Sequence, residues 1–460
     1  MKKVLSILAI LCGIAVSAQG ITGAWKGELA AGGAKLNLVF NIQKSGNGYT
    51  ATMDSPDQGA SNIPFKTATF SDNKLVLTIP EAQIEYTGTL QDGRITGTYQ
   101  QGKAKWPLNL VPGTIVQKRP QHPKPPYPYL EEEVTFKNQI DNVQLAGTLT
   151  LPGKDSKYPV AILISGSGQQ DRNSTIMGHQ PFHVIADHLT RVGIAVLRFD
   201  DRGVGKSTGD PSQATSANFA EDVRAAVKYL QGRKEIIKEQ IGMIGHSEGG
   251  VIAPMVASGT KDIGFMVLLA GPGVPGDELL IAQTEALARA ANASAEDIKS
   301  MTVLNRKIYD VAKEQTGSEL ENTLKKIFDE EYNKLPANAR PAKEDFDETI
   351  KQQIATVNTP WFQYFVKYDP ASALAGVKCP VLVLNGGKDL QVPAEQNTNA
   401  IRTNLEKAGN DRVRVRIFPE LNHLFQEAKT GAVEEYGEIE QTFSPVALDM
   451  IGSWILTQFN

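Results

Sequence analysis

The sequence is short of cysteine, of long apolar runs and of any surplus of positive charge. Only Cys12 and Cys379 occur in 460 residues. Cys12 sits inside the N-terminal apolar segment, which leaves Cys379 as the one cysteine of the remaining chain. A lone thiol cannot close an internal disulfide, so the fold has to hold itself together by burying apolar surface. The apolar run from Val4 to Val16 spans about 13 residues where roughly 20 are needed to cross a bilayer, and no later stretch is long and apolar enough. Stable membrane insertion is therefore excluded. Lys and Arg total 47 against 51 Asp and Glu, a net charge of −4. Mild acidity gives no footing for nucleic acid, whose phosphates demand clustered cations.

What is present begins with Met1-Lys2-Lys3, the apolar run, and small residues at Val16-Ser17-Ala18 before Gln19. This is the layout of a cleavable signal peptide over residues 1–18, and it predicts a secreted or periplasmic protein starting near Gln19. Without residues 1–18 the chain keeps 45 basic and 51 acidic residues, a net charge of −6. Cys12 follows Ile10 and Leu11 rather than the small residues expected before a lipid-modified cysteine, which argues against a lipid anchor. A mature chain of this length is large for one core, so two domains are expected.

Residues 19–116 read as all-β. Short alternating segments (Lys35 to Gln43, Lys74 to Ile79, Ile84 to Leu90, Ile95 to Tyr99) are separated by turn signals such as Gly46-Asn47-Gly48 and Asp92-Gly93. The opening Gly23-Ala24-Trp25 and the meander after it resemble a small lipocalin-type barrel, with a sandwich or a half-open barrel as equal alternatives. A proline-rich stretch, residues 117–130, has few amide donors and reads as an interdomain linker. From residue 131 onward, apolar strands alternate with amphipathic helices, the pattern of a mostly parallel sheet covered on both faces. The strands are Val160 to Ile164, Ile194 to Phe199, Ile241 to Ile244, Phe265 to Leu269, Val381 to Leu384 and Val413 to Phe418. Between about residues 274 and 376 the alternation gives way to helical texture alone, which predicts a cap inserted over the strand ends.

Two Gly-x-Ser-x-Gly patterns occur. Gly205-Lys206-Ser207-Thr208-Gly209 leads into a loop, Asp210-Pro211-Ser212-Gln213. Gly245-His246-Ser247-Glu248-Gly249 follows a strand directly and runs into Gly250 to Ala257, a helix. Only the second has the strand, tight turn and helix that expose a serine oxygen at a site mouth and aim helix N-terminal amides at an oxyanion. Ser247 is the predicted nucleophile, and Ser207 reads as structural. A phosphate loop at Asp200 to Ser207 is excluded, because position 200 would have to be glycine.

A serine nucleophile needs a base, and the chain has six histidines. His122 lies in the linker, His246 adjoins the nucleophile, and His179, His183 and His188 precede Ser247 in the chain. His423, just after the last strand, stands where the chain order Ser, acid, His puts the base. The acid should come from the end of the preceding strand, and Asp389 follows the turn glycines Gly386 and Gly387. Asp277 and Glu395 are the competitors. Oxyanion donors are expected at the amide of Glu248 and in the glycine-rich loop Ser165 to Arg172, at Ser167 with Gly168 as the alternative.

Taken together, Gly245 to Gly250, Ser165 to Arg172, Gly386 to Pro393 and Asn422-His423-Leu424-Phe425-Gln426 resemble the secreted and thermophilic esterase D-like group of the α/β-hydrolase superfamily. The resemblance covers roughly residues 131–460 and stops short of residues 19–118. It implies an α/β-hydrolase fold and carboxylic-ester hydrolysis by a Ser247, Asp389, His423 triad, on a small-molecule substrate, without metal or organic cofactor. Ser165 stands where many relatives carry a histidine. Rival readings are a peptidase of the prolyl-oligopeptidase type, an acyltransferase or thioesterase, and a binding module with an inert hydrolase domain. A propeller of the first kind needs several four-stranded blades, for which the N-terminal region is too short.

Overall fold

A computed structural model describes residues 21–31, 34–58, 60–115 and 118–459, and the predicted leader, residues 1–18, lies outside them. The chain divides into two compact units at Gln117/Lys118.

The first unit is an antiparallel meander. β1 (Gly23–Ala31), β2 (Ala34–Ser45), β3 (Gly48–Ser55) and β4 (Ala60–Pro64) pair in sequence. β5 (Thr67–Ser71), β6 (Lys74–Ile79), β7 (Ile84–Gln91), β8 (Arg94–Gln101) and β9 (Ala104–Pro107) do the same, and β10 (Val111–Pro112) returns to β1. Leu110, just before β10, exchanges backbone bonds with Ile95 of β8 and so links the two five-stranded sheets. Strand pairing gives two separate five-stranded sheets, and they share a single apolar core. Inward positions such as Trp25, Phe40, Leu75, Leu77, Tyr86 and Ile95 fill it. Tyr86 satisfies its buried hydroxyl on Leu108 O at 3.1 Å.

The second unit is built on an eight-stranded sheet. β11 (Leu130–Asn138), β12 (Val143–Leu151), β13 (Tyr158–Ile164), β14 (Ala195–Phe199), β15 (Ile236–His246), β16 (Phe265–Leu269), β17 (Val381–Gly386) and β18 (Val413–Phe418) lie in the order β11-β12-β14-β13-β15-β16-β17-β18. The first two pairings are antiparallel and all later ones parallel. Residues of one strand alternate between faces, and the core divides accordingly. Val160 and Ile162 face one cluster with Val223, Ile252 and Ile401, while Ala161 and Leu163 face the other with Phe182, Leu189 and Ile451. Five helices supply those covers: α1 (Pro181–Arg191), α2 (Ser216–Gln231), α3 (Gly249–Ala257), α10 (Ala394–Lys407) and α11 (Pro445–Thr457). This is the α/β-hydrolase fold that the motifs imply.

The cap runs between β16 and β17 as α4 (Gly276–Ala290), α5 (Ala295–Glu314), α6 (Gly317–Lys334), α7 (Lys343–Val357), α8 (Pro360–Lys367) and the single turn α9 (Ala371–Leu374). It has an apolar core of its own, with Ile308, Leu320, Leu324, Ile327, Ile354 and Phe362 among its buried members. The proline-rich stretch read as a linker is laid onto this second unit. Arg119 donates to the carbonyls of Met177, Gly437 and Ile439, and Gln121 both donates to Phe443 O and accepts from Thr442 N.

Candidate active site

Ser247 occupies the turn between β15 and α3 with φ of 55°, a left-handed conformation that costs a non-glycine residue energy. The turn is that tight because strand and helix nearly touch. A Cβ on Gly245 would strike the carbonyl of Gly249, and one on Gly249 would strike the carbonyl of Ile164 at the end of β13. The Gly-x-Ser-x-Gly spacing therefore has a steric cause. Gly166 on the neighbouring loop also lies near, though less tightly, since a Cβ there would sit 3.0 Å from Ser247 Cβ.

His423 lies in the loop after β18. Its Nδ1 is 2.8 Å from Asp389 Oδ2, and both residues are nearly inaccessible. Asp389 is pinned in turn, since its Oδ1 accepts the amides of Gln391 and Val392, each at 2.8 Å. The histidine loop is shaped by its neighbour: Asn422 Oδ1 accepts from Leu424 N and Gln426 N, and Asn422 Nδ2 donates to Gln426 Oε1. Ser247 and His423 line one cavity of about 260 Å³, together with Gly166, Ser167 and Glu248. Leu279 and Leu280 of α4 and Trp361 and Phe365 of α8 contribute apolar walls, so the insertion does cover the site.

The other candidates are engaged elsewhere. Asp277 pairs with Lys313 inside the cap, and Glu395 is exposed on α10. The Ser207 hydroxyl, 8% exposed, accepts from Ala146 N at 3.0 Å and donates to Asp200 O at 2.7 Å, which ties it to structure. His179 is buried between Thr442 Oγ1 and Tyr436 O, and burial lowers its pKa to about 4. His246 sets its Nε2 2.9 Å from the carbonyl of His423, with the two rings 4.8 Å apart. A carbonyl only accepts, so Nε2 carries the proton. Burial, with His423 adding to it, lowers the His246 pKa to about 3, and the ring stays neutral as a support for the His423 backbone.

The loop Ser165 to Arg172, where an oxyanion donor is expected, is held by the turn after β14. Arg172 makes a two-pronged pair with Asp200, its Nε at 3.0 Å and Nη2 at 2.8 Å. Asp201 accepts from Ser165 Oγ at 2.7 Å and from Gln170 N at 2.9 Å. Gly166 and Ser167 line the cavity that holds Ser247, whereas Gly168 lines a second, neighbouring cavity. Sequence reasoning passed over Asp200 and Asp201 as turn residues. It also missed the side chain of Glu248, whose Oε1 accepts from Ser216 Oγ at 2.6 Å and from Trp361 Nε1 at 2.8 Å. Burial raises the Glu248 carboxyl above the usual range, and hydrogen bonds from Ser216, Trp361 and Ser167 pull it back down. No group of three or more His, Cys, Asp or Glu suited to a metal ion occurs among the described residues.

Comparison with known proteins follows the same outline. The profile of the hydrolase family described as serine aminopeptidase, S33, matches residues 179–428. Esterase EstD of Thermotoga maritima is 26% identical over 332 residues, covering 71% of this chain and 69% of that one. An uncharacterized 31.7 kDa protein of the traX-finO intergenic region of Escherichia coli is 25% identical over 256 residues, covering 55% of this chain and 80% of its own. Among solved structures, the Pyrococcus furiosus esterase Pf2001 aligns over 76% of this chain and 100% of its own at 17% identity and a TM-score of 0.44. Since the family match takes in more than half of the chain, and with it the Ser247 turn, Asp389 and His423, the chain belongs to the serine aminopeptidase S33 family of hydrolases.

Proposed function

We propose that the protein hydrolyses carboxylic esters of small molecules through Ser247, His423 and Asp389. The observation that carries this reading is the 2.8 Å bond between His423 Nδ1 and Asp389 Oδ2, beside a strained Ser247 that shares its cavity. With Nδ1–H donating a hydrogen bond to the carboxylate, Nε2 carries a lone pair and can take the Ser247 proton as Oγ attacks the ester carbonyl. The negative charge that develops on the carbonyl oxygen is met by the amides of Glu248 and Ser167. Glu248 opens α3, where the first amides of a helix have no intrahelical partner. The imidazolium returns its proton to the departing alkoxide oxygen, leaving an acyl group on Ser247. Water, deprotonated by His423, then attacks the acyl carbon and releases the acid. The similarity to EstD, a protein named as an esterase, supports the ester as substrate.

The family description favours a second reading, amide cleavage at a peptide N-terminus, by the same triad acting on a poorer leaving group. Turnover of p-nitrophenyl acetate against alanine and proline p-nitroanilides separates the two. Ester turnover that disappears in Ser247→Ala with the fold intact is the expected result, and substantial residual turnover in that variant overturns the assignment.

A further inference from the structure

Trp361, on α8 of the cap, stands between two cavities. One is the catalytic cavity of about 260 Å³, and the other, of about 280 Å³, is lined by Gly168 and Gln169 of the oxyanion loop and by Ser212, Ala214 and Phe219. Only Trp361 and Ser167 line both. The indole is fixed in this position from two sides. Its Nε1 donates to Glu248 Oε1 at 2.8 Å, and its ring stacks on Phe365 at 5.2 Å between centroids. Glu248 is itself held by Ser216 Oγ, so the wall is anchored to the residue that follows the nucleophile. Either cavity alone falls below the ~300–1,000 Å³ typical of small-molecule sites, and the two joined fall within it.

The two arms of an ester meet different parts of this site. The leaving alcohol has to receive its proton from His423, so its oxygen lies on the His423 side. The acyl chain leaves the tetrahedral carbon in another direction. None of the residues lining the second cavity comes from the His423 loop. Its border with the first cavity is formed by Ser167 and Trp361, and a chain that leaves the carbonyl carbon away from His423 can reach it there.

We infer that Trp361 is the specificity-determining residue that limits the protein to esters of short acyl chains, by walling the catalytic cavity off from a second cavity able to take the distal part of a longer chain. The inference rests on the ester reading for its substrate and on Ser247 as the nucleophile.

The test compares kcat/KM for p-nitrophenyl acetate and octanoate in the starting protein and four variants. Trp361→Ala is expected to raise the octanoate-to-acetate ratio at least tenfold. Trp361→Phe keeps a ring and loses the bond to Glu248, and its ratio should fall between the two. Ser212→Trp places a bulky group in the second cavity alone and should leave acetate turnover within about twofold of the starting protein, since Ser212 is exposed and lies outside the catalytic cavity. Combined with Trp361→Ala, it should abolish the gain on octanoate. A ratio unchanged in Trp361→Ala overturns the inference, as does a gain that survives the added Ser212→Trp. If the alanine variant fails to fold, a threefold rise in Trp361→Phe, cancelled by Ser212→Trp, is required instead. The same ratio is read from the rate of Ser247 labelling by short- and long-chain alkyl fluorophosphonates. Absence of ester turnover therefore overturns the ester reading, while the labelling ratio still decides for or against Trp361.

Discussion

The Asp389 carboxylate divides its two oxygens between two tasks: Oδ2 accepts a hydrogen bond from His423 Nδ1 at 2.8 Å, and Oδ1 accepts from the amides of Gln391 and Val392. The backbone fixes the carboxylate and the carboxylate fixes the imidazole, so the tautomer is set two steps away from the reacting atoms. Gly386 and Gly387 make this approach feasible, because side chains there would strike the backbone of Leu421 and Pro419 in the segment that leads to His423.

An Asp389→Asn substitution keeps the shape and places an N–H where an acceptor is needed. The imidazole then turns its unprotonated nitrogen toward residue 389 and presents a proton to Ser247. The expected loss in kcat on p-nitrophenyl acetate is about 10³–10⁴-fold with little change in KM. Asp277→Asn breaks the partly buried cap pair with Lys313, but neither residue lines the Ser247 cavity, and kcat should change by less than about threefold. The reverse pattern reassigns the acid.

Ser207 offers the opposite case, a serine in a matching pattern whose hydroxyl is consumed by the fold. Ser207→Ala leaves the buried amide of Ala146 without its acceptor, which costs about 1–3 kcal/mol. The free energy of unfolding should fall by that amount while kcat stays within about threefold of the parent. Lost activity in a fully folded variant would instead give Ser207 a part in the chemistry.

The difference between those two serines was legible in the sequence because it is local. A strand, a glycine-bracketed turn and a helix occupy consecutive residues around Ser247, and apolar runs betray strands buried on both faces. β11 and β12 were not legible in the same way. Glu131, Glu132 and Glu133 begin an edge strand with an open outer face, and no continuous apolar run marks it. Nor could the sequence join Trp361 to Glu248 across 113 residues, or Asp201 to Ser165 and Gln170 across 36 and 31. Those bonds exist because the cap folds back over β15 and because β14 lies beside β13 in the sheet. The proline-rich stretch shows the same limit: its composition forecasts an extended chain, while its attachment depends on carbonyls of residues 177 and 437–443 that only the tertiary fold brings near.

Asp201 carries a pH dependence whose sign follows from its surroundings. Burial pushes its carboxyl up to about 7, and the nearby carboxyls of Glu248 and Asp222 push the same way, while bonds from Ser165 and Gln170 oppose them. In the unfolded chain an aspartate titrates near ~3.9. Between these two values the folded state holds a proton that the unfolded state has lost, so this group makes stability fall as pH rises from about 4 through about 7. Asp201→Asn is neutral at every pH, and its amide can accept from Gln170 N and donate to Ser165 Oγ, keeping the oxyanion loop tethered. The variant should therefore gain on the parent as pH rises: the difference in Tm, small near pH 4, should widen up to pH 8, by roughly 2–4 °C for each kcal/mol of charge burial relieved. Parallel Tm curves for the two proteins over that range would show that Asp201 is ionised in the fold throughout, and the tether would then be a permanently charged one.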